Sequence, residues 1–185
     1  MAAVRGLHDR RIDRDGLRGT RNPAGASELA EDRISFLPGS PTIDLVSVDP
    51  TDDPANYQRL IEGAWVTLHD GWYYLFYSGD NCCGPNAHYA LMVARSRSAT
   101  GPFETLSQAK GVPSSVILAA NQRWNAPGHN AVIQDAEGNH WVLYHAVDNR
   151  RPRSKPDSEP NTRRVMLLDQ ITWRDGWPSL SADQP

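Results

Sequence analysis

Glu62 opens a run of residues that is otherwise almost entirely apolar and aromatic. The run passes through Trp65 and Leu68, crosses a turn at Asp70-Gly71 and ends near Ser78. A carboxylate rarely stands at the head of such a run without a partner or a purpose. Burial raises the pKa of a carboxyl group, which is what a general acid needs to carry a proton near neutral pH. We therefore predict that Glu62 is a general acid. The alternative is a solvated edge residue or a glutamate paired with an arginine.

The composition limits the class of protein. With 185 residues, 39% hydrophobic and 22% charged, the chain fits one globular domain with a real core. No apolar run approaches the length of a membrane-spanning helix, and the formal charge of -3 argues against a nucleic-acid partner. We therefore expect neither a membrane nor a nucleic acid as partner. The six tryptophans and six tyrosines fit strands beside a carbohydrate cleft about as well as they fit a β-rich core.

The first part of the chain carries few structural signals. Residues 1–33 are rich in Arg, Asp and Gly without periodicity, and we expect a poorly specified lead-in there. Asp9, Asp13 and Asp15 are expected to be solvated. These residues show no secretory signal pattern, and the localisation stays open between cytoplasmic and secreted. Residues 34–185 are predicted to form one β domain.

Alternating segments between turn residues predict strands from residue 34 onward. The Asp70-Gly71 turn is a strong hairpin signal, and a weak copy of this hairpin follows, with Trp141 and Leu143 in the places of Tyr73 and Leu75. Repeated four-stranded units without a convincing helix between them favour an all-β fold, a partial β-propeller. A β-sandwich is the structural alternative. A polar insertion at residues 148–163 is expected to be a surface loop.

The two cysteines, Cys82 and Cys83, are adjacent. They are therefore neither a disulfide framework nor a CxxC metal pair. A vicinal disulfide closes a strained ring, so two free thiols are expected. They lie in a turn-rich segment after a strand, which is a common place for a binding surface.

The order of these segments resembles glycoside hydrolase family 43, the five-bladed propeller enzymes that trim arabinan, xylan and related plant polysaccharides. The resemblance covers roughly residues 34–180. It is carried by five motifs in order: Glu62-Gly63-Ala64-Trp65, the run from Gly71 to Gly79, the run from Tyr89 to Ser96, Gly101-Pro102-Phe103, and the run from Ala126 to Asn130.

The resemblance implies an inverting glycosidase with a carbohydrate as its partner. By position, Glu62 matches the glutamate that protonates the leaving oxygen. His129 matches a histidine that faces an axial metal ion or water cluster below the sugar, and Arg164 matches an arginine near the sugar. Cys82 and Cys83 are expected in a substrate-site loop. No cofactor is required for the chemistry, although an axial Ca²⁺ near His129, held through waters, is implied. Two other histidines, His88 and His145, could reach the cleft, but structural roles are expected for them.

The two aspartates that such a mechanism needs have no clear counterpart in this sequence. In the family they lie well upstream of the acid, and Asp44, the nearest candidate, receives no role. We therefore expect about blades three to five of the propeller, without the general base, and little turnover by this chain alone. The functional alternatives are a non-catalytic carbohydrate-binding remnant and a β-sandwich interaction module.

Overall fold

The fold of the chain is almost entirely β. The computed structural model describes the backbone strand at residues 2–5 and residues 24–180. The predicted solvated residues Asp9, Asp13 and Asp15 lie outside the described residues. The strand Ala24–Glu28 falls inside the predicted lead-in, yet it pairs with a later strand and buries Ala24 and Ala26. The lead-in therefore contributes to the fold, while the domain boundary at residue 33 stays a prediction.

Twelve strands and one short helix follow one another in the described part of the chain. They are β1 Ala2–Arg5, β2 Ala24–Glu28, β3 Ile43–Val46, β4 Ile61–His69, β5 Trp72–Asn81, β6 His88–Ser96, β7 Glu104–Thr105, α1 Leu106–Lys110, β8 Val116–Leu118, β9 Trp124–Gln134, β10 His140–Asp148, β11 Arg164–Arg174 and β12 Trp177–Ser179.

These strands form three sheets, and every pairing is antiparallel. The first sheet is β1-β2-β3. The second is β4-β5-β6-β7, with β8 added on β6, and the third has the order β12-β11-β10-β9. The β4–β5 hairpin turns at Asp70-Gly71, where both residues have positive φ. Two positive φ values are what a tight hairpin turn requires, so the predicted turn is confirmed.

The second sheet lies between the other two and is buried on both faces. One face contributes Phe76 and Val93 to a core shared with the third sheet. The opposite face contributes Leu75 and Met92 to a core shared with the first sheet. Because successive side chains alternate between faces, a strand covered on both sides needs a nearly continuous apolar run. This packing explains the apolar sequence that follows Glu62.

Three details differ from or extend the sequence prediction. Helix α1 was not predicted; it begins at the capping box of Thr105 and Gln108 and ends at Gly111 in the left-handed conformation. β11 is one unbroken strand from Arg164 to Arg174. The insertion at 148–163 is irregular and mostly exposed, as expected. None of the helices in the described residues is long and apolar enough to cross a membrane.

Candidate active site

Glu62 lies near the start of β4, next to a break in the regular strand pairing. It pairs with Ser78 on β5, and the register shifts between Glu62 and Trp65. Gly63 within this β-bulge has a φ of 59°, a conformation that glycine adopts without strain. Bulges re-aim side chains and are common beside functional sites. The carboxylate of Glu62 is shielded, with its side chain only 16% exposed.

A second irregular segment, on β9, lies against this bulge. The β9–β10 register shifts twice near His145, and both Ala126 and His129 have positive φ. His129 Nδ1 lies 3.5 Å from Glu62 Oε1, and the imidazole is 52% exposed. The predicted acid and the predicted histidine are therefore neighbours, and the histidine faces solvent.

Small residues allow the two irregular segments to approach. A Cβ on Gly63 would lie 3.1 Å from the Cα of His129, and a Cβ on Gly128 would lie 2.3 Å from the ring of Tyr89. The hydroxyl of Ser78 accepts a hydrogen bond of 2.8 Å from the backbone N–H of His129. Ser78 thus ties the second sheet to the third at this point. We call this junction, formed by Glu62, Gly63, Ser78, Tyr89, Gly128 and His129, the acid seam.

Tyr89 makes a short hydrogen bond to the predicted acid. Its hydroxyl donates to Glu62 Oε1 at 2.5 Å, and the whole residue is 1% exposed. Burial, together with the nearby Glu62 carboxylate, raises the pKa of Tyr89 far above its usual value. The phenol therefore stays protonated and can always donate.

Arg164, on β11, lies beneath the acid seam and is held by several acceptors. It donates to the carbonyl oxygens of Cys82, Ala126 and His145 at 2.5, 2.6 and 2.7 Å, and its Nε donates to the His145 ring. Its guanidinium lies 5.6 Å from the centre of the Tyr89 ring. Burial lowers the pKa of Arg164. The arginine thus brings a positive charge to the seam and joins three segments of backbone.

The pKa values of two histidines in the site are shifted in opposite directions. The hydrogen bond to Glu62 raises the pKa of His129, which favours its cationic form. Burial, followed by the charges of Arg164 and His129, lowers the pKa of His145 to about 4. The two rings stack with centroids 5.5 Å apart. A neutral His145 can accept the hydrogen bond from Arg164 while the charge resides on the exposed ring.

The expectation of two free thiols was wrong. Cys82 and Cys83 form a vicinal disulfide in the turn between β5 and β6. The turn is held in place by the Asn81 side chain, which donates to the Asn86 carbonyl, and by Arg164, which donates to the Cys82 carbonyl. Adjacent cysteines fixed in such a turn can reach each other although the ring they close is tight. Arg164 therefore links the disulfide turn to the acid seam, because it contacts both the Cys82 carbonyl and the Tyr89 ring.

The described aspartates do not supply an obvious second catalytic carboxylate. Asp44 is exposed on β3. Asp80 is buried but engaged by Arg59 and His88, each at 2.5 Å. Asp148 is buried and held by Arg123. The structure therefore gives the predicted acid a defined environment and commits Asp80 and Asp148 to other contacts.

Metal binding has little support from protein ligands alone. Residues 24–180 contain no group of three or more His, Cys, Asp or Glu side chains that could hold a metal ion. The positive charge of Arg164 also acts on His129. These residues do not fit a directly ligated ion, so a water-held Ca²⁺ near His129 stays a prediction.

Sequence reasoning assigned no site role to two residues that contact the predicted acid or its neighbours, Ser78 and Tyr89. Ser78 and Tyr89 look like ordinary core positions, because both lie in apolar strands. His145, for which a structural role was expected, stacks on His129. The small residues Gly63 and Gly128 were the only local signal, since glycine in a strand often marks a bulge or a close backbone approach.

Comparison with known proteins assigns the chain to a family. Residues 30–178 match the model of glycosyl hydrolases family 43. The chain is 31% identical over 124 residues to extracellular endo-α-(1→5)-L-arabinanase 1 of Bacillus subtilis, covering 64% of this chain and 34% of that protein. It is 25% identical over 188 residues to arabinan endo-1,5-α-L-arabinosidase B of Emericella nidulans, covering 96% and 44%. The chain thus spans less than half the length of these two relatives.

Solved structures give the same picture of the fold. The α-L-arabinanase of Cellvibrio cellulosa in complex with arabinohexaose matches with a TM-score of 0.68 at 22% identity, covering 86% of this chain and 50% of that one. The family 43 endo-arabinanase of Bacillus licheniformis matches with a TM-score of 0.63 at 26% identity, covering 85% and 48%. The partial propeller prediction is confirmed, and the β-sandwich alternative is wrong.

Proposed function

Because this chain belongs to glycosyl hydrolases family 43, we propose that it is the acid-bearing part of an inverting glycosidase. Its substrate would be an arabinan- or xylan-type polysaccharide or oligosaccharide. Arabinan is favoured, because the two named sequence relatives carry arabinan-cleaving activities in their names. The observation that carries the proposal is the shielded carboxylate of Glu62, which lies beside the solvent-facing imidazole of His129.

The chemistry follows from the placement of Glu62. An unprotonated glycosidic oxygen is a poor leaving group, so a proton must be delivered to it as the bond breaks. Glu62 would deliver that proton. An inverting reaction also needs a carboxylate on the opposite face of the sugar, ~6.5–9.5 Å away, to activate water. Asp80 and Asp148 are held by basic side chains, so we assign the base to neither.

The remaining predicted site residues receive supporting roles. The exposed imidazole of His129 can donate a hydrogen bond to a sugar hydroxyl. Most N–H groups of Arg164 donate to backbone carbonyl oxygens. Its proposed role is therefore to supply positive charge near the sugar and to fix the backbone segments that surround the site. The Cys82–Cys83 disulfide would border the sugar as an apolar wall. No step of the reaction is assigned to a metal ion.

A test must separate the acid from the missing base. Azide can replace the activated water as a nucleophile that needs no base. We expect the chain with azide to cleave arabinotriose slowly, and Glu62→Gln to reduce this rate by about two to four orders of magnitude. With a dinitrophenyl arabinoside, whose leaving group needs no proton, Glu62→Gln should change the rate little. Glu137→Gln, in an exposed turn, is the matched control.

Three results would speak against the proposal. Equal loss of both substrates in Glu62→Gln would mean that Glu62 is not a proton donor. Rapid turnover without azide would show that the chain has its own base. Binding of arabinotriose in NMR titrations, with no cleavage under any condition, would support the alternative of a carbohydrate-binding remnant.

A further inference from the structure

The contact between Tyr89 and Glu62 has the features of a built hydrogen bond. It joins the phenol to a carboxyl oxygen of Glu62 at 2.5 Å, at the short end of the range for O–H···O hydrogen bonds. Both groups are shielded from solvent, which strengthens the interaction relative to one in water. His129 approaches the same carboxylate oxygen at 3.5 Å. The two neighbours therefore act on Oε1 from the second and third sheets.

Tyr89 itself is fixed in place from several sides. Gly128 packs so close to the ring that a Cβ there would overlap two ring carbons, at 2.3 and 2.6 Å. The Arg164 guanidinium lies over the ring, with its central carbon 5.6 Å from the ring centre. A buried tyrosine held in this way offers its donor at one position. Glutamate, in contrast, has a flexible side chain that loses considerable rotamer freedom when it is fixed.

We propose that Tyr89 is a positioning residue for the reaction, which holds the Glu62 carboxyl group in the orientation from which its proton is delivered. The inference rests on the proposed function, because it assigns Tyr89 a role through the general acid. Orientation matters here because proton transfer requires the acid within about 2.6–3.2 Å of its acceptor. Small misplacements of a catalytic group can cost orders of magnitude in rate. Tyr89 would not touch the sugar.

The experiment uses this chain with ¹³C-labelled glutamate side chains, at one fixed pH. In Tyr89→Phe we expect the Glu62 carboxyl resonance to shift and its side-chain couplings to average, because one fixed rotamer gives way to several. Tyr144→Phe is the matched control. Tyr144 is 2% exposed and donates to an Asp169 carboxylate oxygen at 2.7 Å, so it loses the same kind of bond elsewhere. The control should leave the Glu62 signals unchanged.

A reciprocal measurement covers the case in which Tyr89→Phe does not fold. In Glu62→Ala, the ¹³Cζ resonance of Tyr89 should shift because the phenol loses its acceptor, while that of Tyr144 should not. Unchanged Glu62 signals in a folded Tyr89→Phe, or an unchanged Tyr89 signal in Glu62→Ala, would overturn the positioning role. Titration of the parent chain with arabinotriose is read separately. A lack of perturbation there counts against the proposed function and leaves the test of Tyr89 intact.

Discussion

His145 should make the fold less stable as the pH falls below neutrality. Burial and the charges of Arg164 and His129 lower the pKa of His145 from 6.5 to about 4. Because the folded pKa is below the unfolded one, the unfolded chain binds the proton more readily between these values. The free energy of unfolding therefore decreases as the pH drops through the window from 6.5 to 4.

The size of the effect follows from the two pKa values. At pH 5 an unfolded histidine is almost fully protonated, whereas a group with a pKa of about 4 is mostly neutral. The linkage relation then gives a loss of at most about 2 kcal/mol between neutral pH and pH 5. Partial solvent exposure of the ring reduces this value. A loss of this size is still a measurable fraction of the total stability of an ordinary domain, which is about 5–15 kcal/mol.

Urea unfolding at pH 7.5 and pH 5, with the parent chain and with His145→Gln, measures this term. Glutamine keeps an acceptor for Arg164 but does not titrate, so its stability should fall less over the same pH interval. The difference between the two pH dependences isolates His145 from other titrating groups. Parallel pH dependences for the two proteins, or an NMR titration of His145 near 6.5, would refute the reasoning.

Three further predictions concern packing and the vicinal disulfide. Gly128→Ala should destabilise the fold by about 1–3 kcal/mol, because its Cβ would overlap the Tyr89 ring, and urea unfolding measures the loss. Phe76→Ala should cost about 3–5 kcal/mol in the same assay, whereas Met166→Ala, at a side chain 76% exposed, should stay within about 0.5 kcal/mol. Reduction of the vicinal disulfide by a dithiol should shift the amide resonances of the β5–β6 turn and of Arg164, which donates to the Cys82 carbonyl. Equal costs for the two truncations, or a spectrum unchanged by reduction, would contradict these expectations.

The general fold was accessible from the sequence because its signals are local. The Asp70-Gly71 turn sets the register of β4 and β5, and the continuous apolar run of β5 reports that both its faces are covered. The short helix α1 was missed because five residues give too little periodicity to recognise. Its capping box, Thr105 with Gln108, was the available signal.

The site was accessible only in part, because its contacts join distant segments. Glu62 was found through the conflict between a carboxylate and its apolar surroundings, and His129 through the family resemblance. Tyr89 was missed because it stands in an apolar strand, where nothing in the sequence indicates that its hydroxyl contacts Glu62. The oxidation state of Cys82 and Cys83 was mispredicted because the ring strain of adjacent cysteines was weighed without the turn that holds them.

The residues of the acid seam come from two of the three sheets. Glu62, Ser78 and Tyr89 come from the second sheet, and Gly128 and His129 come from the third. These two sheets share the core that contains Phe76 and Val93. The packing around Glu62 is therefore continuous with the core that joins the second sheet to the third. On the proposed function, a general base outside the seam would act together with a Glu62 whose surroundings are already formed. Supplying that general base should thus raise the rate of hydrolysis and leave the Glu62 carboxyl resonance unchanged. A Glu62 carboxyl resonance that moves when the base is supplied would contradict this expectation.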